Sequence, residues 1–293
     1  MKVLVTGKNG QLGKSIHKIV TANEQIGKFI FAGRDELDLS KTSSITSYFN
    51  QNNFDIIINC AAYTSVDKME EQSELANQIN HLAVAELVKI AKMQQAKLIH
   101  ISTDYVFDGE SDRPYKEADE TNPINIYGRT KLAGEQALQE IMPTDAMIIR
   151  TSWVYSEFGN NFVKTILKLS KERDDINVVC DQMGSPTYAT DLANAILGIL
   201  QNKAFKDPGQ ETQVYHYSNS GEVSWYEFAR EVFELTNIQC SVSPISTEEF
   251  PTLAKRPKNT LMNKDKIAET FSINIFDWKE SLNICMAIIK EHK

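Results

Sequence analysis

The N-terminal half of the chain alternates short apolar runs with amphipathic stretches, a pattern typical of a β-α-β series. Apolar runs at residues 2–6, 29–32, 55–60, 97–103 and 146–150 each predict a strand. The third run, DIIINC, is apolar almost throughout, which indicates a strand covered on both faces of a parallel sheet. The sequence therefore predicts an α/β fold, a Rossmann-type doubly wound parallel sheet.

Apolar residues recur at helical spacing between these runs. A long helix is predicted from about residue 73 to residue 93, with Leu82, Val84 and Leu87 facing the core. Another helix is predicted to begin near Tyr127 and to continue through Ile141. These stretches supply the helices that a parallel sheet needs on its faces.

The pattern changes after about residue 155. Helical patterns at residues 162–169, 190–200 and 225–235 are separated by loops rich in Gly, Pro, Ser and Asn. We therefore divide the chain approximately into a dinucleotide-binding domain at residues 1–155 and a smaller C-terminal region at residues 156–293. The second region is expected mainly to bind substrate, with some segments returning to the main sheet.

Composition and charge exclude several classes of function. The 293 residues are 42% hydrophobic and 24% charged, as in ordinary globular proteins. The net charge of −8 argues against a nucleic-acid partner. No apolar run reaches the ~18 residues that suggest a membrane span, and the first run is too short for a signal peptide, so we expect a cytoplasmic protein. The four cysteines form no CxxC pair, so no metal site or disulfide framework is predicted.

A glycine-rich turn follows the first predicted strand and precedes the first helix. Gly7, Gly10 and Gly13 have the spacing GxxGxxG rather than GxGxxG. Glycines let the backbone turn sharply and approach a pyrophosphate, which the helix N-terminus attracts. A loop that is merely rich in glycine would explain the triplet alone. Its position between a strand and a helix favours dinucleotide binding.

The end of the second predicted strand bears on the choice of cofactor. The strand ends in Gly33-Arg34-Asp35, and a guanidinium at this place suits the 2′-phosphate of NADPH. Asp35 could instead contact a ribose hydroxyl, so NADH stays possible. Asp38, followed by Leu39, could approach the adenine end of the cofactor.

Small residues follow the third predicted strand, at Ala61 and Ala62, before Tyr63 and Thr64. Their size would let a cofactor pass close to the backbone. Packing against a helix would explain the same small residues equally well.

Candidate catalytic residues lie at the end of the strand at 97–103 and on the next helix. Tyr127 and Lys131 are four residues apart and so share one helix face. A phenol has a pKa near ~10, and a neighbouring ammonium favours its phenolate. A bare YxxxK is common on surface helices, but here Ser102 and Thr103 end a strand at the sheet edge where ligands bind. Thr103 can hydrogen-bond a carbonyl oxygen that Tyr127 protonates.

Together these motifs resemble the extended short-chain dehydrogenases/reductases, which share the glycine triplet and the YxxxK at 127–131. More specific are STDYVFDG at 102–109, AAYTSVD at 61–67, RTSWVY at 150–155 and DQMGSPT at 181–187. In these segments the chain is most similar to the dTDP-4-dehydrorhamnose reductase family. The resemblance covers nearly the whole chain.

The resemblance implies reduction of the 4-keto group of dTDP-4-dehydro-L-rhamnose to dTDP-L-rhamnose, with NADPH or NADH. It implies that Tyr127 donates the proton, that Lys131 holds the nicotinamide ribose and that Thr103 binds the reacting carbonyl. Asp104 and Trp153 are expected to contact the sugar. Matching positions place further cofactor contacts at Gly10, Gln11, Leu12, Asp38, Leu39, Ala62, Tyr63 and Thr64.

One departure from that family concerns metal. Some of its members bind Mg²⁺ at a dimer interface through a Glu just after the glycine loop, whereas this chain has Lys14 and Ser15 there. No metal site is therefore predicted, and both a monomer and a homodimer stay open.

Two other functions stay open as well. An NDP-sugar epimerase or dehydratase typically carries further acidic or basic groups near the strand-end Ser/Thr, whereas here Thr103 is followed by the single Asp104. A non-catalytic regulatory subunit on the same fold is the other alternative. Retention of Thr103, Tyr127 and Lys131 together argues against it.

Overall fold

The computed structural model describes residues 1–23, 27–207 and 209–291. In chain order the strands are β1 (Lys2–Thr6), β2 (Lys28–Ala32), β3 (Ile56–Asn59), β4 (Lys97–Thr103), β5 (Ala146–Thr151), β6 (Val154–Tyr155), β7 (Asp175–Val179), β8 (Met183–Gly184), β9 (Thr187–Tyr188), β10 (Gln213–Tyr217), β11 (Val223–Ser224) and β12 (Ser241–Ile245). The helices are α1 (Gln11–Ala22), α2 (Thr42–Asn50), α3 (Val66–Glu71), α4 (Ser73–Asn77), α5 (Ala83–Gln94), α6 (Ile126–Ile141), α7 (Phe162–Leu169), α8 (Ala189–Gln201), α9 (Lys203–Lys206), α10 (Trp225–Thr236), α11 (Asp265–Phe271) and α12 (Trp278–Glu291). Within the described ranges, none of the helices is long and apolar enough to cross a bilayer.

The apolar runs of the N-terminal half form one parallel sheet. Among the described residues it has six strands in the order β2-β1-β3-β4-β5-β10, and each neighbouring pair is parallel. The chain reverses its direction across the sheet between β1 and β3, which is the place where open α/β sheets bind ligands at the carboxyl ends of their strands. The predicted fold class is confirmed.

Helices cover both faces of this sheet because alternate strand residues point to opposite sides. In β1, Val3 and Val5 pack in an apolar cluster with residues of α1 and α8. Leu4 belongs to the opposite cluster, which contains residues of α2, α5 and α6. Burying each such side chain contributes about 1.5–3 kcal/mol. The sheet is thus held between two helix layers.

A further apolar cluster is built from residues 155–286, contributed mainly by α7, β7, α10 and α12. The segments that form this cluster are not continuous in the chain, because elements of the main sheet core lie between them. Between its members, α8 packs against α1, and β10 pairs with β5 at the sheet edge. The C-terminal half therefore supplies both a second core and two elements of the first.

The predicted helix at 73–93 is interrupted. A π-helical turn over Gln78–Leu82 separates α4 from α5. Leu82, which we expected in the core, is 43% exposed, because the wider turn changes the direction of the side chains next to it. Val84 and Leu87 are buried as predicted.

Candidate active site

A cleft of about 540 Å³ opens at the carboxyl edge of the sheet, between the glycine loop and the start of α6. It is lined by loop and strand-end residues from both halves of the chain. Of the residues singled out from the sequence, the cleft brings together Gly10, Gln11, Leu12, Ala62, Thr64, Thr103, Asp104, Tyr127, Lys131 and Trp153.

The glycine loop fits the diphosphate of a dinucleotide. Gly7 has a φ of +71°, and a Cβ on it would lie 2.9 Å from the main-chain nitrogen of Ala61. A Cβ on Gly13 would overlap the Gly7 carbonyl oxygen, so Gly13 serves close packing of α1. Gly10 is the N-cap of α1, which has no side-chain cap and no acidic residue in its first turn. The first amides of α1 are thus available to an anion.

The side chain of Gln11 joins the glycine loop to the C-terminal region. Its Nε2 donates to the carbonyl oxygen of Val154 at 2.9 Å. Its Oε1 accepts from Ser156 Oγ at 2.9 Å and from Asn161 Nδ2 at 2.8 Å. Because this amide is occupied, a cofactor phosphate would meet the main chain of Gln11 rather than its side chain. Sequence reasoning missed Asn161, which lies far away in the chain.

The segment after β3 is held by a residue that sequence reasoning also missed, Asn80. Its Oδ1 accepts from the main-chain nitrogen of Tyr63 at 2.8 Å, and its Nδ2 donates to the Tyr63 carbonyl at 3.0 Å. The Tyr63 hydroxyl donates to Gln72 Oε1 at 2.6 Å, and its ring does not line the cleft. Ala62 and Thr64 do line it. In the sequence, Asn80 could have been found as a polar residue inside an apolar helical pattern.

The residues predicted for the adenosine end lie outside the cleft lining. Arg34 has a side chain that is 74% exposed, and its Nε is 3.6 Å from Asp38 Oδ1. Asp38 Oδ1 also accepts from the nitrogen and hydroxyl of Ser40, at 3.0 and 2.7 Å. Leu39 is buried in a core cluster. Asp35 is exposed. Their roles in cofactor binding stay predictions.

A second cation, missed in the sequence, lies at the end of β2. Lys8 Nζ forms an ion pair with Glu36 Oε1, and Glu36 Oε2 accepts from the nitrogen of Gly33 at 2.9 Å. The hydrogen bond from Lys8 lowers the pKa of the Glu36 carboxyl. A Cβ on Gly33 would lie 3.0 Å from the Lys8 side chain, so Lys8 crosses directly over this residue. In the sequence, Lys8 could have been found as a basic residue between two glycines of the loop, Gly7 and Gly10.

Thr103 lies at the centre of the cleft and caps the turn that follows β4. Its Oγ1 accepts from the nitrogen of Tyr105 at 3.2 Å and donates to Asp104 Oδ1 at 2.9 Å. The Tyr105 and Tyr127 rings meet edge to face with centroids 5.6 Å apart. Burial raises the pKa of Tyr127 to about 12, and a hydrogen bond with Thr103 opposes this rise.

The start of α6 packs closely against the turn after β4 because residue 128 is a glycine. A Cβ on Gly128 would overlap the carbonyl oxygen of Tyr105. Asn125 caps the helix by accepting from the Gly128 nitrogen at 2.8 Å. Close approach and cap together place Tyr127 beside Thr103.

Lys131 is 1% exposed and continues a buried row of polar groups. Its Nζ donates to the Ile101 carbonyl at 2.6 Å and lies 3.2 Å from His100 Nε2. His100 Nδ1 is 3.0 Å from Asn59 Nδ2, and Asn59 Oδ1 accepts from the Thr6 hydroxyl at 2.7 Å. The row follows the strand register, in which Asn59 pairs with both Thr6 and His100.

The pKa of Tyr127 shifts in the direction opposite to the expected tuning by Lys131, so that tuning stays a prediction. Burial lowers the pKa of Lys131 to about 8, and its ammonium points to a strand carbonyl. The pKa of Tyr127 is raised, and burial, Thr103 and Asp104 account for its shift. The low-dielectric surroundings therefore outweigh the helical spacing of the two residues.

Trp153 adopts an unusual backbone conformation at the far end of the cleft. Its φ is +48°, in the left-handed region, which costs a non-glycine residue about 1–3 kcal/mol. Its ring stacks on Trp225 at 3.5 Å with an interplanar angle of 10°. Gly184 leaves room for that ring, since a Cβ there would lie 2.6 Å from it. Such strain is typical of ligand sites.

A second cavity, of about 550 Å³, adjoins the cleft at Tyr105 and Trp225, which line both. Its wall is largely apolar and also carries Arg173 and Arg256. Arg256 forms a two-pronged ion pair with Asp67, with Nη2–Oδ2 at 2.6 Å and Nη1–Oδ1 at 3.2 Å. Among the apolar lining residues are Phe162, Ile166, Ile176, Val178 and Phe250.

Residues 1–291 match the family described as the RmlD substrate binding domain. The chain belongs to this family. A dTDP-4-dehydrorhamnose reductase of Sinorhizobium fredii is 40% identical over 298 residues, covering 100% of this chain and 99% of the relative. The predicted resemblance is therefore confirmed.

Solved structures of the family share the whole fold. A dTDP-4-dehydrorhamnose reductase of Clostridium acetobutylicum has a TM-score of 0.91 and 40% identity, covering 99% of this chain and 100% of its own. One of Bacillus anthracis, solved in complex with NADP, also has a TM-score of 0.91, with 38% identity and coverage of 98% and 99%.

Proposed function

We propose that this chain reduces the 4-keto group of dTDP-4-dehydro-L-rhamnose to give dTDP-L-rhamnose, with NADPH as the preferred cofactor and NADH as a possible one. Membership of the family, and 40% identity over the full length to a relative of that name, support the proposal. The observation that carries it is the convergence of Thr103, Tyr127 and Lys131 beside two adjoining cavities.

The cofactor would lie across the carboxyl edge of the sheet and, when bound, supplies a hydride to the sugar C4. The free amides at the start of α1 would hold its diphosphate. Ala62 and Thr64 would border its nicotinamide ribose, which the Lys131 ammonium would bind. The predicted cofactor agrees with the relative from B. anthracis that was solved with NADP.

The protein's part in the chemistry is to manage the charge that develops on the substrate oxygen. The Tyr127 hydroxyl donates the proton that completes the alcohol, since its raised pKa keeps it protonated at neutral pH. The Thr103 hydroxyl hydrogen-bonds the same oxygen. Fixed donors aimed at developing charge are usually the largest contribution to catalysis.

The nucleotide part of the substrate would occupy the second cavity, while Trp153 contacts the sugar; the buried Asp104 carboxyl would act on the sugar only through Thr103. An apolar wall with aromatic residues suits a base, and the guanidinium of Arg256 suits a diphosphate. In this arrangement residues 1–155 mainly bind cofactor and residues 156–293 mainly bind substrate. We propose a cytoplasmic enzyme that acts without nucleic acid or membrane, as a monomer or a homodimer.

Incubation with NADPH and dTDP-4-dehydro-L-rhamnose tests the proposal. We expect loss of the nicotinamide absorbance in step with formation of dTDP-L-rhamnose, identified by NMR from the configuration at C4. The Tyr127→Phe variant is the matched control. Conversion of the sugar without net cofactor oxidation would indicate an epimerase or dehydratase instead. No conversion by a chain that still binds NADPH would favour a regulatory subunit.

A further inference from the structure

The carboxyl group of Asp104 is buried directly behind Thr103. Asp104 is 2% exposed, and its Oδ1 accepts the Thr103 hydroxyl at 2.9 Å. Its Oδ2 is buried and has no hydrogen-bond partner within the described parts of the chain. If ionised, this carboxyl would hold its charge away from water with one oxygen lacking a hydrogen bond.

The hydrogen bonds of Thr103 present a conflict, because a hydroxyl has one proton to donate. In this structure that proton goes to Asp104, while the Tyr105 nitrogen donates to the Thr103 oxygen. A hydroxyl arranged like this has no proton left for a substrate oxygen. Thr103 can assist the reduction only if Asp104 no longer accepts that hydrogen bond.

We propose that Asp104 is a positioning residue which, in its protonated form, donates to Thr103 Oγ1 and thereby frees the Thr103 proton for the substrate oxygen. The inference rests on the proposed reduction. No proton leaves Asp104 during turnover, since Tyr127 supplies the proton that ends on the sugar. Ionised Asp104 would instead draw the Thr103 hydroxyl away from the substrate.

The groups packed around Asp104 favour the protonated form near neutral pH. Burial raises its pKa to about 7, against opposing hydrogen bonds. The Thr260 hydroxyl faces the carboxyl and lowers its pKa, and it also lies 3.4 Å from the Met183 carbonyl. From α6, Tyr127 faces the site as an uncharged phenol, since its own pKa is raised to about 12.

The nearby cations are engaged elsewhere. The Arg256 guanidinium, in the segment before α11, is paired with Asp67 of α3 and faces Tyr105. The Lys131 ammonium, on α6, donates to the Ile101 carbonyl. Neither forms an ion pair with Asp104 that would hold it ionised.

Asp104→Asn tests the proposal, because an amide can donate to Thr103 Oγ1 at every pH but cannot ionise. For the unmodified enzyme we expect kcat/KM to fall about tenfold per pH unit as the pH rises through 7, as loss of one required proton predicts. The variant should lose this fall, so the ratio of variant to unmodified kcat/KM should rise with pH. Any decline that the variant still shows near pH 8 belongs to Lys131, whose pKa is about 8.

Asp108→Asn is the matched control, since Asp108 bonds to the Tyr115 hydroxyl at 2.7 Å and does not line the cleft. The ratio of kcat/KM in Asp108→Asn to kcat/KM in the unmodified enzyme should not change with pH. In Thr103→Val, the further change Asp104→Asn should no longer alter the profile. A parallel loss at every pH in Asp104→Asn, or a change confined to KM, would overturn the positioning role.

Failure of the underlying function gives a different result. If the unmodified enzyme does not reduce the sugar at all, the proposed function fails. The carboxyl pKa of Asp104 can then still be read by ¹³C NMR, as the signal lost in Asp104→Asn. An ionised Asp104 below pH 6 in that spectrum would overturn the inference independently, since Thr103 needs a protonated carboxyl beside it at neutral pH.

Discussion

Burial holds the pKa of Tyr127 at about 12, so the phenol is protonated at neutral pH and suits its proposed role as proton donor. We expect Tyr127→Phe to lower kcat by about 10²–10⁴-fold, the usual size of general acid catalysis. The Kd of NADPH, measured by fluorescence titration, should change little. Near-normal turnover in this variant would remove Tyr127 from the mechanism.

Lys131 illustrates how a functional residue opposes stability. Its ammonium is buried and its pKa is lowered to about 8, so the charged form is disfavoured by the fold. We expect Lys131→Met to weaken NADPH binding and to remove the part of the alkaline decline that begins near pH 8, while the fall attributed to Asp104 remains. Its thermal unfolding temperature at neutral pH should be no lower than that of the unmodified chain. A large drop in that temperature would instead assign Lys131 a folding role.

We propose that cofactor choice depends on two cations near the end of β2, Arg34 and Lys8. We expect NADPH to be preferred over NADH about tenfold in kcat/KM, which corresponds to ~1.4 kcal/mol, because a guanidinium gains more from a phosphate than from a hydroxyl. Arg34→Ala should remove most of this preference, and Arg34→Ala with Lys8→Met should remove the rest.

Lys28→Met is the control for charge alone, because the exposed Lys28 begins β2 and so lies at the opposite end of that strand from Arg34. It should leave the cofactor ratio unchanged. Equal kcat/KM for the two cofactors in the unmodified enzyme would show that Arg34 is a solvated surface charge without a role in cofactor choice.

At the residue scale, the sequence indicated the groups that motifs place close together. Thr103 and Tyr127 could be expected to meet because strand ends and helix starts lie along one sheet edge. The bonds of Asn80 to Tyr63, and of Gln11 to Asn161, join segments far apart in the chain, and no local pattern encodes them. The direction of the Tyr127 pKa shift could not be predicted either, since it depends on burial.

At the scale of elements, hydrophobic periodicity located helices and strands well where they are regular. The predicted helix at 162–169 coincides with α7, and the strand at 97–103 with β4. The π-helical turn at Gln78–Leu82 was missed because it follows from tertiary packing. In this turn the Asn80 carbonyl oxygen packs against α6 at Gly134, where a Cβ would overlap it.

The ion pair of Arg256 with Asp67 ties the segment before α11 to α3 beside the second cavity. If Arg256 binds the substrate diphosphate, Arg256→Met should raise KM for the sugar nucleotide roughly ten- to hundredfold, from the 1.5–3 kcal/mol of a charge-assisted hydrogen bond. The Kd of NADPH should stay within error. Lys255→Met, one residue away and exposed, is the control. Equal effects on KM for the sugar nucleotide and on the Kd of NADPH would mean that the ion pair of Arg256 with Asp67 only supports the fold.

At the scale of the whole molecule, the predicted division near residue 155 does not separate the cores. The cluster on one sheet face joins Leu12 and Ile16 of α1 to Leu192 and Ile196 of α8, and β10 pairs with β5. A fragment of residues 1–155 would lose α8 and β10 and would leave this face covered only by α1. We expect such a fragment to expose apolar surface and to show no cooperative thermal transition by circular dichroism.

The same interleaving predicts how the full chain unfolds. The tryptophans, Trp153, Trp225 and Trp278, lie in or against the C-terminal cluster, so their fluorescence reports on that part. Far-ultraviolet circular dichroism reports mainly on the helices of both halves. Because α8 and β10 belong to the main sheet core, loss of the C-terminal cluster should remove the support of that core at once. Both signals should therefore follow one urea transition with a single midpoint. A fluorescence midpoint clearly below that of circular dichroism would show that the C-terminal region unfolds independently, and that the boundary at residue 155 separates two cooperative units.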